Sequence, residues 1–112
     1  MNDCLFCKIA AGEIPSKKVY EDELCLAFYD IDPQAPVHFL VIPKAHIGSA
    51  AEITAENAQI VAHIFTVIAE TTKKLALESY RIVSNIGEQA GQSVHHLHFH
   101  VLSGRDMTWP PG

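Results

Sequence analysis

The apolar positions of the chain switch between a helical and an extended period, and the switches mark its elements. Leu5-Phe6-Cys7-Lys8-Ile9-Ala10-Ala11 reads as a short helix that stops at Gly12. Val19-Tyr20-Glu21 and Leu24-Cys25-Leu26-Ala27-Phe28-Tyr29 read as a hairpin, with Asp22 and Glu23 at its turn. Pro33 and Pro36 make Asp30–Pro36 a loop, because proline cannot donate to a ladder. His38-Phe39-Leu40-Val41-Ile42 is a nearly continuous apolar run ended by Pro43, which predicts a central strand. Ile60, Val61, Ile64, Phe65 and Ile68, continued by Leu75, form one helical stripe; Thr54 is the expected N-cap and the end falls near residues 76–79. Tyr80-Arg81-Ile82-Val83-Ser84 predicts another strand, residues 85–92 a loop, and His96–Leu102 a last, alternating strand. About five strands, one long helix and a short N-terminal helix predict an α+β fold built on an antiparallel meander sheet. No linker or repeat divides the chain, so residues 1–112 are expected to form a single domain.

Composition narrows the function. With 13 acidic against 8 basic residues and a formal net charge of −5, the chain is ill suited to nucleic-acid polymers, which need clustered Lys and Arg. No run approaches the length needed to span a bilayer. Met1-Asn2-Asp3-Cys4 lacks the basic and apolar segments of a signal peptide, so a cytoplasmic protein with reduced thiols is expected. Three Cys fit a disulfide framework poorly. The feature that stands out is seven His, four of them between positions 95 and 100.

Strand side chains alternate faces, so His96, His98 and His100 share one face while Leu97, Phe99 and Val101 share the other. Three imidazoles on one face suit either a metal site or a nucleophilic His whose neighbours fix its tautomer. The preceding loop carries Gly87, Gly91, Gln92 and Ser93. Such a donor-rich loop favours phosphoryl-type transfer, because backbone N–H groups can approach an anion at glycine. Cys4-x-x-Cys7 has the spacing of half a zinc site, and His46 is the candidate to complete it. Cys25 reads as a small buried hydrophobe, and His63 takes no role.

His96-x-His98-x-His100-Val101-Leu102 resembles the signature of the histidine triad (HIT) superfamily. The likeness extends through Phe6-Cys7-Lys8-Ile9, Ala27-Phe28-Tyr29-Asp30-Ile31, Pro33-Gln34-Ala35-Pro36, His38-Phe39-Leu40-Val41-Ile42-Pro43-Lys44 and Gly91-Gln92-Ser93-Val94. The ending Trp109-Pro110-Pro111-Gly112 is most similar to the histidine-triad nucleotide-binding (Hint-like) branch. His100 stands where the superfamily's transferases usually carry Gln. Ala90 replaces a frequent glycine and His95 a common Tyr, and neither change removes a catalytic group.

The resemblance implies a HIT-like fold whose sheet extends across a homodimer, and a purine nucleoside phosphoramidate hydrolase. His98 would attack the α-phosphorus to form a nucleotidyl–histidine that water resolves. His100 would contact a phosphate oxygen, His96 would act from the flank, and His38 would orient the imidazoles from behind. Asn85, Gly91, Gln92 and Ser93 would bind the phosphate, with Ser93 also near the leaving amine. Asp30 would hold the ribose, and Leu5, Phe6, Ile9, Ile14, Phe28, Tyr29 and Ile31 would form the purine slot. Trp109 would reach the partner's site. The fourth ligand of a structural Zn²⁺ on Cys4, Cys7 and His46 would be His96, or else His95. No metal would be needed for catalysis. The expected ligand is AMP, GMP or a nucleoside phosphoramidate. The alternatives are a nucleotide-binding regulatory or scaffold module, a dinucleoside polyphosphate hydrolase, and a metal-dependent hydrolase built on the His-x-His strand.

Overall fold

A computed structural model describes residues 3–112. Helix α1 (Leu5–Ala10) opens the fold, followed by strands β1 (Lys18–Glu21), β2 (Cys25–Tyr29) and β3 (Val37–Pro43). Helix α2 (Ala58–Lys74), β4 (Arg81–Val83) and β5 (Phe99–Ser103) complete it, with short 3-10 turns at Ala50–Glu52 and Glu88–Ala90. All pairings are antiparallel, in the order β1-β2-β3-β5-β4. The first three strands form the expected meander. After β3 the chain leaves the sheet through α2, so β5 returns to β3 and β4 is left at the edge.

The sheet separates two cores. Cys25, Ala27, Phe39, Val41, Leu97, Phe99 and Val101 pack with Ile64, Val67 and Ile68 of α2. Leu26, Phe28, Leu40 and Ile42 pack on the other face with Phe6 and Ile9 of α1. Phe6 meets Phe28 edge to face, with ring centroids 5.6 Å apart. Burial of an aromatic side chain of this size contributes about 2–3 kcal/mol, enough to dock a helix too short to be stable alone.

Local chemistry sets the turns. Asp22 closes the hairpin by accepting the Leu24 and Cys25 amides at Oδ1, at 2.8 and 2.9 Å. Gly12 takes φ +81° just beyond α1. The long helix begins later than expected. Thr54 accepts from the Glu56 amide at 3.2 Å and opens a turn, and Asn57 occupies the N-cap. Its buried stripe is also rotated from the expected one. Val67, Thr71 and Thr72 face inward, while Phe65 (45%) and Leu75 (36%) are exposed. Thr72 tolerates burial because its hydroxyl donates to the Ile68 carbonyl at 2.8 Å. Among the described residues no helix is long and apolar enough to cross a membrane.

Candidate functional site

β3 and β5 pair Leu40 with His100 and His38 with Leu102, so His38, Leu40 and His100 share the α1-side face. The ladder begins only at Phe99, three residues later than the alternation suggested. His98 and His96 therefore sit in the chain entering β5. Even so, Leu97 is buried in the opposite core and His98 lies edge-on to His100, centroids 5.0 Å apart. The two-face division survives without the ladder.

Hydrogen bonds fix a tautomer at each imidazole, because a carbonyl can only accept and a backbone amide can only donate. His98 Nδ1 lies 2.7 Å from the His96 carbonyl, so Nδ1 carries the proton and Nε2 keeps its lone pair. The His98 carbonyl in turn accepts from the Ser84 hydroxyl at 2.8 Å. The Gln34 amide donates to His38 Nδ1 at 3.0 Å, which places the His38 proton on Nε2. His38 Nε2 faces His100 Nδ1 at 2.9 Å, so His100 accepts there and carries its own proton on Nε2. Asp30 Oδ2 lies 3.5 Å from His38 Nε2 and pulls toward the charged form. Burial outweighs it: His38 is held below the ordinary histidine range. His100 is pushed down to about 4 by burial and by the neighbouring imidazoles of His98 and His38, against Asp30. Both are neutral at pH 7.

His98, His100 and Asp30 face a cavity of about 300 Å³, which His38 does not line. Its wall is apolar, from Leu5, Phe6, Ile9, Phe28, Ile31 and Leu40, and His98, His100, Ser93 and Asp30 bring the polar groups. Tyr29 lines it as well, although its ring packs on Phe39 of the opposite core, centroids 6.4 Å apart. Ile14 packs behind the α1-side core rather than on the cavity. Leu40 and Val94 line the cavity without having been anticipated. The signal for Leu40 was present, since it stands two positions from His38 in a strand.

The loop before the triad divides by role. Gly91, at φ +98°, brings its backbone beside the Asn85 side chain, whose nitrogen would lie 3.7 Å from an added Cβ. Gln92 is buried and its amide is spent on the loop. Its Oε1 accepts the Gly87 amide at 2.9 Å, and its Nε2 donates to the Gly48 carbonyl at 2.7 Å and the Val94 carbonyl at 3.1 Å. Gln92 thus braces the loop instead of facing a ligand. Trp109 is 82% exposed and lies outside the cavity of its own chain.

His96 turns away from the cavity. Its Nε2 donates to the Pro43 carbonyl at 2.9 Å, and its Nδ1 lies 3.2 Å from Cys4 Sγ, 3.4 Å from Cys7 Sγ and 3.2 Å from His46 Nδ1. Cys7 Sγ lies 3.2 Å from His46 Nδ1. Four ligand atoms of Cys4, Cys7, His46 and His96 converge in one cluster that could hold a metal ion. Two thiols and two imidazoles suit a closed tetrahedral Zn²⁺ site, and the Pro43 carbonyl fixes the His96 tautomer that ligation needs. His95 points elsewhere, 4.0 Å from the Glu52 carboxylate, so it is not the fourth member. With both ring nitrogens engaged, His96 serves this cluster and not the cavity.

A family model described as HIT domain matches residues 11–107. An uncharacterised HIT-like protein of Synechococcus elongatus is 51% identical over 111 residues, covering 98% of this chain and 97% of its own. The crystal structure of a HIT family hydrolase from Legionella pneumophila superposes with a TM-score of 0.94 at 46% identity, covering 98% of this chain and 100% of that one. A histidine triad protein from Clostridium difficile gives a TM-score of 0.92 at 46% identity over 96% of each chain.

Proposed function

This chain belongs to the HIT domain family, and from that premise we propose that it is a purine nucleoside phosphoramidate hydrolase of the Hint-like branch. The observation that carries the reading is the 2.7 Å bond from His98 Nδ1 to the His96 carbonyl, which leaves Nε2 as the nucleophilic atom. The apolar wall from Phe6, Ile9, Phe28 and Leu40 suits a purine, and Asp30 at its rim suits the ribose hydroxyls. Asn85, Gly91 and Ser93 take the phosphate.

His98 Nε2 bonds to the α-phosphorus while the P–N bond breaks, and the amine leaves with that electron pair. A proton reaches the amine through the Ser93 hydroxyl, which regains one from water. The proton stays on Nδ1, and its hydrogen bond to the His96 carbonyl disperses the positive charge of the phosphorylated ring. His100 donates from Nε2 to a phosphate oxygen, and stays neutral because of its depressed pKa. Water then attacks phosphorus on the same line, the P–Nε2 bond breaks, and the water proton leaves to solvent. His98 returns as the neutral Nδ1–H tautomer.

Zn²⁺ on Cys4, Cys7, His46 and His96 is structural in this reading, and the chemistry it supplies is that of a cross-link. The exposed side chains of Phe65 and Leu75 on α2, and of Ile82 on the edge strand β4, suit a homodimer interface. The decisive experiment is hydrolysis of an adenosine phosphoramidate by wild type and His98→Ala. Wild type turns over and binds AMP; His98→Ala loses at least ~10³-fold in kcat while binding AMP within a few-fold. Turnover retained by His98→Ala overturns the nucleophile, and tight AMP binding without turnover by wild type makes the protein a binding module.

A further inference from the structure

The pair formed by His38 and the cavity-lining His100 is held by a residue that no part of the triad contains. The Gln34 amide that fixes His38 sits in the loop between β2 and β3, where side chains make two internal bonds: the Asp32 amide donates to Asp30 Oδ1 at 2.8 Å, and Gln34 Nε2 donates to the Asp32 carbonyl at 3.0 Å. The carbonyl of the same residue accepts from Arg105 Nε at 2.9 Å, across 71 positions of sequence. Arg105 follows the end of β5, the strand that carries His100. Gly104, between them, takes φ +102°, and a Cβ there would lie 2.9 Å from Pro36 Cβ. The turn after β5 therefore presses directly on the loop before β3.

We propose that Arg105 is a positioning residue for the His38–His100 pair, acting through residue 34 of the loop it grips. The chain of bonds runs from Arg105 Nε to the Gln34 carbonyl, from the Gln34 amide to His38 Nδ1, and from His38 Nε2 to His100 Nδ1. Its consequence is a tautomer. While the Gln34 amide occupies Nδ1, His38 must donate from Nε2, His100 must accept at Nδ1, and the His100 proton stays on Nε2, the nitrogen left for the cavity. If residue 34 drifts, His38 is released to carry its proton on Nδ1 and accept at Nε2. His100 then donates from Nδ1, and its cavity-facing nitrogen becomes an acceptor, which repels a phosphate oxygen. Arg105 also donates from Nη1 to the Asp106 carbonyl at 3.2 Å; Lys could replace the bond to Gln34 but not both together, and Met keeps the aliphatic stem without any donor.

The catalytic half of this inference rests on the hydrolase reading; the tautomer half does not. Long-range proton–nitrogen correlation spectra of histidine-labelled protein at neutral pH, with phosphoramidate kinetics alongside, test both. In wild type His38 is the Nε2–H tautomer. In Arg105→Met and Arg105→Ala it becomes a mixture of tautomers, kcat falls roughly tenfold with KM nearly unchanged, and Arg105→Lys restores most of both. A folded Arg105→Met or Arg105→Ala protein whose His38 stays wholly Nε2–H overturns the proposal, as does a fall in kcat that Lys leaves unrescued. If wild type shows the Nε2–H tautomer and the variants lose it, while no phosphoramidate is hydrolysed, the positioning role stands and the hydrolase reading alone falls.

Discussion

His96 Nε2 lies 2.9 Å from the Pro43 carbonyl, so one buried imidazole joins the end of β3 to the cluster of Cys4, Cys7 and His46. Cys4 belongs to that cluster and also caps α1, accepting the Cys7 amide at its sulfur at 3.4 Å. The metal would therefore sit between the helix that supplies Phe6 and Ile9 to the cavity and the segment that supplies His98.

Protein purified without chelator is expected to hold one Zn²⁺ per chain by native mass spectrometry. Stripping the metal should lower the thermal midpoint by roughly 10 °C or more, since a ligand present far above its Kd adds about 3–4 kcal/mol to a small domain. Phosphoramidate turnover measured below that midpoint should survive. Loss of activity in stripped protein that is still folded would make the metal catalytic.

On the opposite side of the hairpin, Asp22 Oδ2 accepts from Tyr20 at 2.8 Å and from His63 of α2 at 2.6 Å. Burial opposes ionisation there, but the bonds from His63, Tyr20 and the Leu24 and Cys25 amides outweigh it and hold the carboxyl well below its usual range. A depressed folded pKa contributes stability that is present above the unfolded value, near pH 4, and lost as pH falls further. Asp22→Asn should cost about 1–3 kcal/mol in urea unfolding at pH 7. The gap from wild type should narrow below pH 4, and a gap independent of pH would show that the charge is immaterial.

Two glycines separate backbone strain from steric contact. Gly12 has φ +81° with nothing within 4 Å of an added Cβ, whereas Gly104 combines φ +102° with Pro36 at 2.9 Å. Gly12→Ala should cost about 1 kcal/mol, the left-handed penalty alone. Gly104→Ala should cost roughly 1–2 kcal/mol more, because Pro36 cannot swing aside as a flexible chain could. Equal losses in denaturant titrations would refute the contact.

Alternation made the triad and its apolar back readable, and the proline-rich stretch marked the loop beside it. What escaped was decided by tertiary contacts. Thr54 and Asn57 are both sound N-cap residues, and only the path from Ala50–Glu52 selects the second. Strand parity put His96 with His98, yet no ladder constrains position 96, and the Pro43 carbonyl, which holds Nε2, leaves Nδ1 turned toward Cys4, Cys7 and His46. Gln92 looked like a ligand because it stands among donors, but a buried amide must satisfy its own polar atoms first. Arg105 carried no signal, since its partner lies 71 positions away in sequence.

The division of residues 96–101 between two faces has a bearing on how such a protein can change. Leu97, Phe99 and Val101 answer to volume and packing, where many combinations of apolar side chains serve equally well. His98 and His100 answer to the position of a proton, where no other side chain offers both a donor and an acceptor on one ring at neutral pH. Neighbouring codons are thus subject to unrelated demands. Stability can drift at every second position while the chemistry stays put, so variants sought for heat resistance are best drawn from the odd-numbered members of this stretch.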